Sequence, residues 1–467
     1  MATAFDHNQF ISPFTWRYGS KEMRFIFSEV HKRTLLRKIW VALAKAQQKA
    51  NLVTEEQVAD LIKHQNDIDI QRATEIENLI HHDLMAEIKT YGEQCPLGGS
   101  VIHMGATSMD ILDNTDVLRQ KEALKLIITL LEKLLATFVL KIRESADTPC
   151  IGFTHIQPAE PTTIGYRLAF VAQDLLHDLK DLKKLEEELK GKGIKGAVGT
   201  AASYNALLEK SSMSAFQLEK EVMDELSLKS FLVASQVYPR KQDWRVANAL
   251  AGVAASLSKL ALDLRLMQSP PIGEYSEPFG KSQVGSSAMP FKRNPILGEK
   301  VCSLARLIAS QVAVLWDNAA NSALERTLDD SANRRIVIPL MFLATEEIIL
   351  SSQKLIESGT FNSEKIKENL KKYGMFAATE PLLMALGSKG ANRQDMHELI
   401  RSYSLKAWIP VQAGLANPLA EDLANEPLIT EYLSKEEVLC LMDEKNHTGD
   451  AKKRSLLLAD EIEAYLN

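Results

Sequence analysis

The stretch Lys281–Glu299, KSQVGSSAMPFKRNPILGE, combines small, hydroxyl-bearing and basic residues between two helical patterns. Its two prolines prevent a continuous helix, and a glycine followed by paired serines favours local hydrogen bonding of the backbone. Asn294 is a good helix N-cap and Pro295 a favoured first helical residue, so the free amides of the next helix should point back toward the loop. With Lys292 beside them, these amides predict a carboxylate or phosphate site. A solvated helix cap is the alternative.

A second segment, Glu325–Arg335, repeats this combination on the far side of the following helix. Ser331 or the residue before it can cap a helix whose first turn carries Arg334 and Arg335. Cations in a first turn oppose the helix dipole, so these two arginines need a compensating partner. The sequence leaves two partners open, the adjacent pair Asp329–Asp330 or a bound phosphate.

Two histidines lie where they could move protons. His155 belongs to a Thr-His-x-Gln-Pro segment that enters a helix, where neighbours can tune an imidazole for acid–base chemistry near neutral pH. His82 precedes Asp83, whose carboxylate could orient or charge the ring. Thr107 and Ser108 follow a glycine in GGSVIHMGATS, which we expect, like GFTHIQPAEPTT, to be a loop that feeds a helix N-terminus.

These polar segments adjoin long stretches in which apolar residues recur at spacings of three and four, the pattern of amphipathic helices. Five helices are predicted, at residues 116–146, 163–191, 244–269, 296–321 and 332–358. Pro339 should kink the last of them. Helices of this length are typical of a bundle.

Small and apolar residues surround most of the helix at 244–269, which suits packing against several neighbours. We therefore expect an all-α homo-oligomer whose subunits share a central bundle, with a self-contained bundle as the alternative. The flanks show shorter helices. Three domains are predicted, at residues 1–108 (N-terminal helical), 109–360 (central long-helix bundle) and 361–467 (C-terminal helical).

Composition excludes several functional classes. A net charge of −6 with scattered basic residues gives no nucleic-acid footprint. The four cysteines are far apart, so neither a zinc site nor a disulfide framework is expected. The N-terminal segment lacks the features of a secretory signal, and no apolar run is expected to be long enough to span a membrane. We expect a cytoplasmic protein that binds neither membranes nor metals.

The segment GSSAMPFKRNP resembles the signature loop of the fumarase/aspartase superfamily, whose members cleave C–N or C–O bonds and release fumarate. Further motifs between residues 12 and 335, among them HHDLMAEIKTYG, GIKGAVGT, SQVYPRKQDW and ERTLDDSANRR, resemble the adenylosuccinate lyase family, in particular its animal branch. The resemblance implies a three-domain helical subunit in a homotetramer built around a twenty-helix core, with each active site shared by three subunits. It also implies that no cofactor is needed and that the substrates are small nucleotides, adenylosuccinate and the succinylcarboxamide ribotide (SAICAR).

The resemblance assigns roles to residues that match the family's motifs. It implies that Ser286 removes the Cβ proton, that His155 protonates the departing nitrogen, and that His82 supports or orients this transfer. The implied substrate-binding residues are Arg17, Tyr18, His81, Asp83, Thr107, Ser108, Gln236, Lys292, Asn294, Lys300, Arg326, Ser331 and Arg335. Arginine suits phosphate oxygens because its planar fork can donate two hydrogen bonds at once.

Two positions depart from the animal enzymes. His81 and Lys300 each stand where those enzymes have a binding arginine, so bidentate geometry is lost there while a donor is kept. Two other functions stay open: a lyase for argininosuccinate or another succinylated amine, and a structural protein that kept the fold. Binding of AMP separates the first from the leading interpretation, and absorbance on mixing with adenylosuccinate tests the second.

Overall fold

Helices make up most of residues 8–467, the part of the chain that this computed structural model describes. In chain order they are α1 (Lys21–Ile26), α2 (Glu29–Lys49), α3 (Glu55–His64), α4 (Ile70–Ile80), α5 (Asp83–Gln94), α6 (Ser108–Ser145), α7 (Ile164–Glu188), α8 (Ala202–Leu207), α9 (Ala215–Glu225), α10 (Lys241–Gln268), α11 (Ile296–Ala320), α12 (Asp329–Ser358), α13 (Ser363–Ala377), α14 (Thr379–Ser388), α15 (Arg393–Gln412), α16 (Leu419–Ala424), α17 (Pro427–Thr430), α18 (Lys435–Leu441) and α19 (Ala451–Leu466). The prediction of a mostly helical fold is confirmed.

The five long helical patterns correspond to α6, α7, α10, α11 and α12. The longest, α6, runs for 38 residues, and its apolar stripe is buried through Leu131, Leu135 and Phe138. Burial of such a stripe is the main source of stability for a helix in a folded protein. Pro339 lies inside α12, which continues through it although proline cannot donate a backbone hydrogen bond to the carbonyl four residues earlier.

The expectation that GFTHIQPAEPTT forms a loop is wrong, because this segment builds a β-hairpin. Strand β1 (Pro149–Thr154) pairs in antiparallel fashion with β2 (Gln157–Thr163), and the register shifts between Ile151 and Phe153. Such an irregularity breaks the alternation of apolar and polar residues that would have marked a strand. Two further pairs are very short: parallel β3 (Lys190–Gly191) with β4 (Lys229–Ser230), and antiparallel β5 (Tyr275–Ser276) with β6 (Thr360–Phe361).

The chain divides into two compact units, each assembled from separate stretches of sequence. Unit 1 comprises Met1–Leu130, Asp178–Ala255 and Ser303–Ile348, and unit 2 comprises Leu131–His177, Ser256–Cys302 and Ile349–Asn467. Every boundary between them falls inside one of the five long helices. The division into three domains at residues 108 and 360 stays a prediction.

Among residues 8–467, helix α12 contradicts the expectation that no apolar run is long enough to span a membrane. An 18-residue window of this helix has a mean hydropathy of 1.4, enough by length and composition to cross a membrane. Of that window, 72% is buried inside the protein, as in the core helix of a soluble protein. Helix α12 also contains Glu346, a buried carboxylate that accepts a hydrogen bond of 2.6 Å from the backbone N–H of Ser20.

Candidate active site

The turn between α4 and α5 places three polar residues at the start of a helix. His81 ends α4 in the left-handed conformation, with φ of 55° and its N–H bonded to the Glu77 carbonyl at 2.7 Å. His82 is the N-cap of α5, because its Nδ1 accepts the backbone N–H of Met85 at 3.3 Å. A neutral ring that accepts at Nδ1 carries its hydrogen on Nε2. His82 therefore presents an N–H donor on its other side.

Asp83 forms an ion pair with Arg335 of α12, with 2.8 Å between Oδ2 and the guanidinium. Burial alone would raise the pKa of Asp83. The positive charge of Arg335, its hydrogen bond and the backbone N–H of Leu84 outweigh burial, so the pKa lies below its usual range. Asp83 is therefore ionised at neutral pH and holds Arg335 beside the start of α5.

Thr107 and Ser108 stand at the beginning of α6, where Asp110 fixes the backbone. The Asp110 carboxylate accepts from the Thr107 N–H at 3.0 Å and from the buried Lys192 ammonium at 2.6 Å. It also accepts from the Gly196 N–H at 3.1 Å. Because Lys192 and Asp110 are both fully buried, this ion pair anchors the GIKGAVGT segment beneath the start of α6.

A cavity of about 730 Å³ lies among these segments of unit 1. Nine of the predicted site residues line it: His81, His82, Asp83, Thr107, Ser108, Gln236, Arg326, Ser331 and Arg335. The Gln236 backbone N–H bonds to the Glu325 carbonyl at 3.2 Å, which joins two of the lining segments. The structure thus brings together residues spread over more than 250 positions of the sequence.

Arg17 and Tyr18 belong to unit 1 but are not among the residues that line this cavity. The Arg17 guanidinium lies 5.6 Å from the centre of the Trp16 ring and 6.0 Å from that of Tyr18, within range of cation–π attraction. Their predicted role in binding the nucleotide stays a prediction.

The cavity also holds charged residues that were not among the predicted substrate-binding residues. They are Glu29, Lys32, Glu77, Asp116, Arg119 and Arg334. All six lie within helices, where a charged residue resembles part of a solvated face. The charge pattern of α2 does not separate a cavity wall from a solvated surface, because Glu29 is its single acidic residue among several basic ones.

The prediction that the adjacent Asp329–Asp330 pair neutralises Arg334 and Arg335 is wrong, and the alternative of a bound phosphate stays a prediction. Buried Arg334 donates to Asp243 at 2.8 Å and to the Tyr238 hydroxyl at 2.7 Å, whereas Arg335 pairs with Asp83. Asp330 instead accepts from Arg240 at 2.6 Å. Acids distant in sequence therefore neutralise Arg334 and Arg335, which lie in the second turn of α12 and not, as predicted, in its first.

In unit 2, His155 stands at the tip of the β1–β2 hairpin. Both residues of its two-residue turn are left-handed, with φ of 53° at His155 and 60° at Ile156. Such turns usually contain Asn-Gly, and a β-branched residue is strained in this conformation. The Arg167 guanidinium braces the hairpin by donating to the Ile151 carbonyl at 2.8 Å. His155 is thus an exposed imidazole held on a constrained turn.

The loop before α11 folds around Ser286. The Ser286 hydroxyl oxygen accepts the backbone N–H groups of Met289 at 3.1 Å and Ala288 at 3.3 Å. The Asn294 side chain donates to the Gly285 carbonyl at 3.1 Å, which closes the loop. Lys292 is exposed on the same loop. Positive potential from two amides is therefore directed at one hydroxyl oxygen.

The anion site predicted at the start of α11 is already filled by the protein. Glu277 accepts from the N–H groups of Gly298 at 2.7 Å and Leu297 at 3.0 Å. Burial raises the pKa of Glu277 above its usual range, although both amides oppose this change. Asn294 braces the loop instead of supplying the predicted side-chain cap. Lys300 is half-buried one turn into α11.

The described residues therefore place the predicted site in two groups. Unit 1 holds the cavity, and unit 2 holds His155, Ser286, Lys292, Asn294 and Lys300. In residues 8–467, no group of three or more His, Cys, Asp or Glu residues is arranged to hold a metal ion.

Comparison with known proteins identifies the family. The Lyase family profile matches residues 19–313, and the profile for the adenylosuccinate lyase C-terminus matches residues 376–454. The chain is 37% identical to adenylosuccinate lyase of Saccharomyces cerevisiae over 96% of its own length and 94% of the relative's. It is 36% identical to the Schistosoma mansoni enzyme over 90% and 88%, and 36% identical to the Pyrococcus abyssi enzyme over 95% and 96%, respectively.

Solved structures support the fold. A 3-carboxy-cis,cis-muconate lactonizing enzyme from Pseudomonas putida superimposes with a TM-score of 0.85 at 24% identity, covering 97% of this chain and 99% of that one. A fumarate lyase from Mesorhizobium sp. BNC1 gives 0.83 at 22% identity, with the same coverage. The family profiles and the full-length relatives show that the chain belongs to the adenylosuccinate lyase family.

Proposed function

We propose that the chain eliminates fumarate from adenylosuccinate to give AMP, and from SAICAR to give the carboxamide ribotide AICAR, without a bound cofactor. Similarity to adenylosuccinate lyases over almost the whole chain supports this reaction. The observation that carries the chemistry is the Ser286 hydroxyl, whose oxygen receives two backbone N–H groups.

The nucleotide binds in the cavity of unit 1. Arg326, Ser331 and Arg335 supply cationic and hydroxyl donors suited to phosphate oxygens, and Arg17 and Tyr18 complete the nucleotide contacts. Thr107, Ser108 and Gln236 contact the succinyl portion, and His81, His82 and Asp83 lie on the facing turn. Because His82 is held as an N-cap, it donates to substrate through Nε2.

Ser286 acts as the base in its alkoxide form. The two amides that reach its oxygen favour the charged form, and Lys292 adds positive charge on the same loop. The alkoxide takes the proton from Cβ of the succinyl group, and the electron pair of that C–H bond moves onto the neighbouring carboxylate. Lys292, Asn294 and Lys300 stabilise this additional negative charge.

His155 acts as the acid in the second step. The stored electron pair forms the C=C bond of fumarate while the C–N bond breaks and its electrons move to nitrogen. His155 donates the proton that nitrogen then needs. A constrained hairpin tip suits this role because it holds the imidazole in one direction.

The direct experiment follows ultraviolet absorbance when the purified protein is mixed with adenylosuccinate. Ser286→Ala and His155→Ala should each lower kcat by about 100-fold or more while circular dichroism stays unchanged, because both residues lie in polar turns. No absorbance change with the folded wild-type protein would refute the reaction, and wild-type turnover by either variant would refute that residue's role.

For assembly we propose a cytoplasmic homotetramer with active sites shared between subunits. Support comes from the family resemblance and from exposed apolar side chains on the long helices, such as Leu140, Phe170 and Trp316. Mixing the Ser286→Ala and His155→Ala variants should then restore part of the activity. No recovery after verified subunit exchange would contradict shared sites.

A further inference from the structure

Three separate segments form much of the polar wall of the unit 1 cavity. They are the start of α6 with Thr107 and Ser108, the connector that carries Gln236, and the segment from residue 325 to residue 335. We infer that Arg240, which does not line the cavity, is a positioning residue that sets the spacing of these segments for nucleotide binding. This inference rests on the proposed function.

Arg240 reaches two of the segments with one guanidinium group. Its Nη1 donates to Asp113 Oδ1 at 2.9 Å, and its Nε donates to Asp330 Oδ2 at 2.6 Å. Asp113 lies five residues after Ser108 on α6, and Asp330 directly precedes Ser331. Because a guanidinium is rigid and planar, it fixes the separation of the two carboxylates that it joins.

The third segment is tied to the same carboxylate. The second oxygen of Asp113 accepts the backbone N–H of Tyr238 at 2.9 Å, two residues after Gln236. The Arg240 guanidinium also lies 4.6 Å from the centre of the Tyr238 ring, within range of cation–π attraction. Asp113 therefore holds α6 and the Gln236 connector together, and Arg240 links both to the segment that carries Ser331.

Asp330 also connects this network to Arg326, an arginine that lines the cavity. Its other oxygen, Oδ1, lies 3.9 Å from Nη2 of Arg326, which lines the cavity. Moving Asp330 would therefore move the neighbouring Ser331 and the charge that faces Arg326. The contact with Arg326 is longer than a hydrogen bond, so the guanidinium of Arg326 keeps donors for a ligand.

Stability alone is a poor explanation for this network. Only 2% of the Arg240 side chain is exposed, and removing charges from water is so costly that buried ion pairs often stabilise no better than apolar residues. Among the described residues, Arg240 Nη2 and Asp330 Oδ1 have no hydrogen-bond partner, which adds to that cost. The role of the network is therefore to fix the spacing of the three wall segments.

The test compares Arg240→Met and Arg240→Lys in the full-length protein with a matched control, Arg245→Met. Arg245 lies in α10, which begins directly after Arg240, but its side chain pairs with Glu188 at 2.6 Å on the surface. There, 48% of the Arg245 side chain is exposed. Calorimetry gives the Kd of AMP, and the absorbance assay gives kcat and KM for adenylosuccinate.

For Arg240→Met we expect the Kd of AMP and KM to rise by between about 10- and 100-fold, with kcat within about threefold of the wild type. The Kd and KM of Arg240→Lys should lie between those of Arg240→Met and the wild type, because an ammonium group can keep one of the two ion pairs. Arg245→Met should match the wild type. This KM-selective loss with partial rescue by lysine separates positioning from a merely structural role.

Three results would overturn the inference. They are a folded Arg240→Met variant with unchanged Kd and KM, a loss confined to kcat, and an equal loss in Arg245→Met. If Arg240→Met does not fold, Asp330→Ala removes the acceptor of the same link, and an unchanged KM there is equally decisive. No turnover by the wild type would overturn the proposed function as well, whereas normal wild-type turnover with an unaffected Arg240→Met variant overturns only the role of Arg240.

Discussion

Gly285→Ala is the substitution whose effect on the Ser286 loop is best defined by geometry. A Cβ atom at residue 285 would lie 2.0 Å from the carbonyl oxygen of Lys292, and a side-chain methyl group needs at least 3.0 Å. Because the obstacle is backbone, it cannot rotate away. The two sides of the loop must therefore separate, which shifts Ser286 and stretches the Asn294 bond to the Gly285 carbonyl.

The size of the effect follows from that distance. The Lys292 backbone must move by about 1 Å, and displacements of about 1 Å in an active site can cost about 100-fold in rate. A 100-fold loss corresponds to about 2.7 kcal/mol of transition-state stabilisation. The free energy of unfolding should change by less than about 1 kcal/mol, because the loop is largely exposed and contributes little to the core.

The assay is kcat from absorbance with saturating adenylosuccinate, together with thermal unfolding. Gly280→Ala is the matched control, because a Cβ there would meet only Gln283 side-chain atoms, at 3.7 and 3.8 Å. It should keep wild-type kcat. Turnover of Gly285→Ala within threefold of the wild type, or an equal loss in Gly280→Ala, would refute the reasoning.

Further predictions concern charged groups. The pKa of Asp83 is lowered in the folded protein, so its pair with Arg335 stabilises above the unfolded-state pKa of about 4 and loses this effect as pH falls through the folded-state pKa. Asp83→Asn should cost less than about 1 kcal/mol at pH 7, because 59% of the Arg335 side chain is exposed, and the Tm difference from the wild type should disappear in acid. Glu277→Ala leaves two first-turn amides of α11 without their acceptor and should cost about 1–2 kcal/mol in urea unfolding; an unchanged midpoint would contradict the cap. Lys192→Met strands the buried carboxylate of Asp110 and should cost about 3–5 kcal/mol, and a loss under 1 kcal/mol would show that backbone donors alone satisfy it.

The long helices could be predicted because their apolar periodicity persists over many turns. The β1–β2 hairpin could not, since an irregularity between Ile151 and Phe153 interrupts the alternation and its turn lacks the usual Asn-Gly pair. Pro158 and Pro161 within β2 also argue against a strand on sequence grounds.

Local structure near the candidate site was predictable where it depends on neighbours in sequence, as for the loop around Ser286, whereas the role of Ser286 stays a prediction. It was not predictable where a partner comes from a distant segment. Glu277 at the start of α11 and Asp83 beside Arg335 are such partners, and local capping rules give no hint of either. Lys32 and Arg119 were not predicted as site residues, because a charged residue within a helix is usually solvated.

Unit 1 is discontinuous in sequence, and this affects how the chain folds during synthesis. The lining of its cavity extends to Pro339, so the cavity cannot form until that residue has left the ribosome. Contacts such as that between Ser20 and Glu346 must likewise wait for more than 300 intervening residues. Contacts so far apart in sequence slow folding and prolong exposure of apolar surface. Expression at low temperature or with added chaperones should therefore raise the yield of folded protein more than it changes the stability of the purified protein.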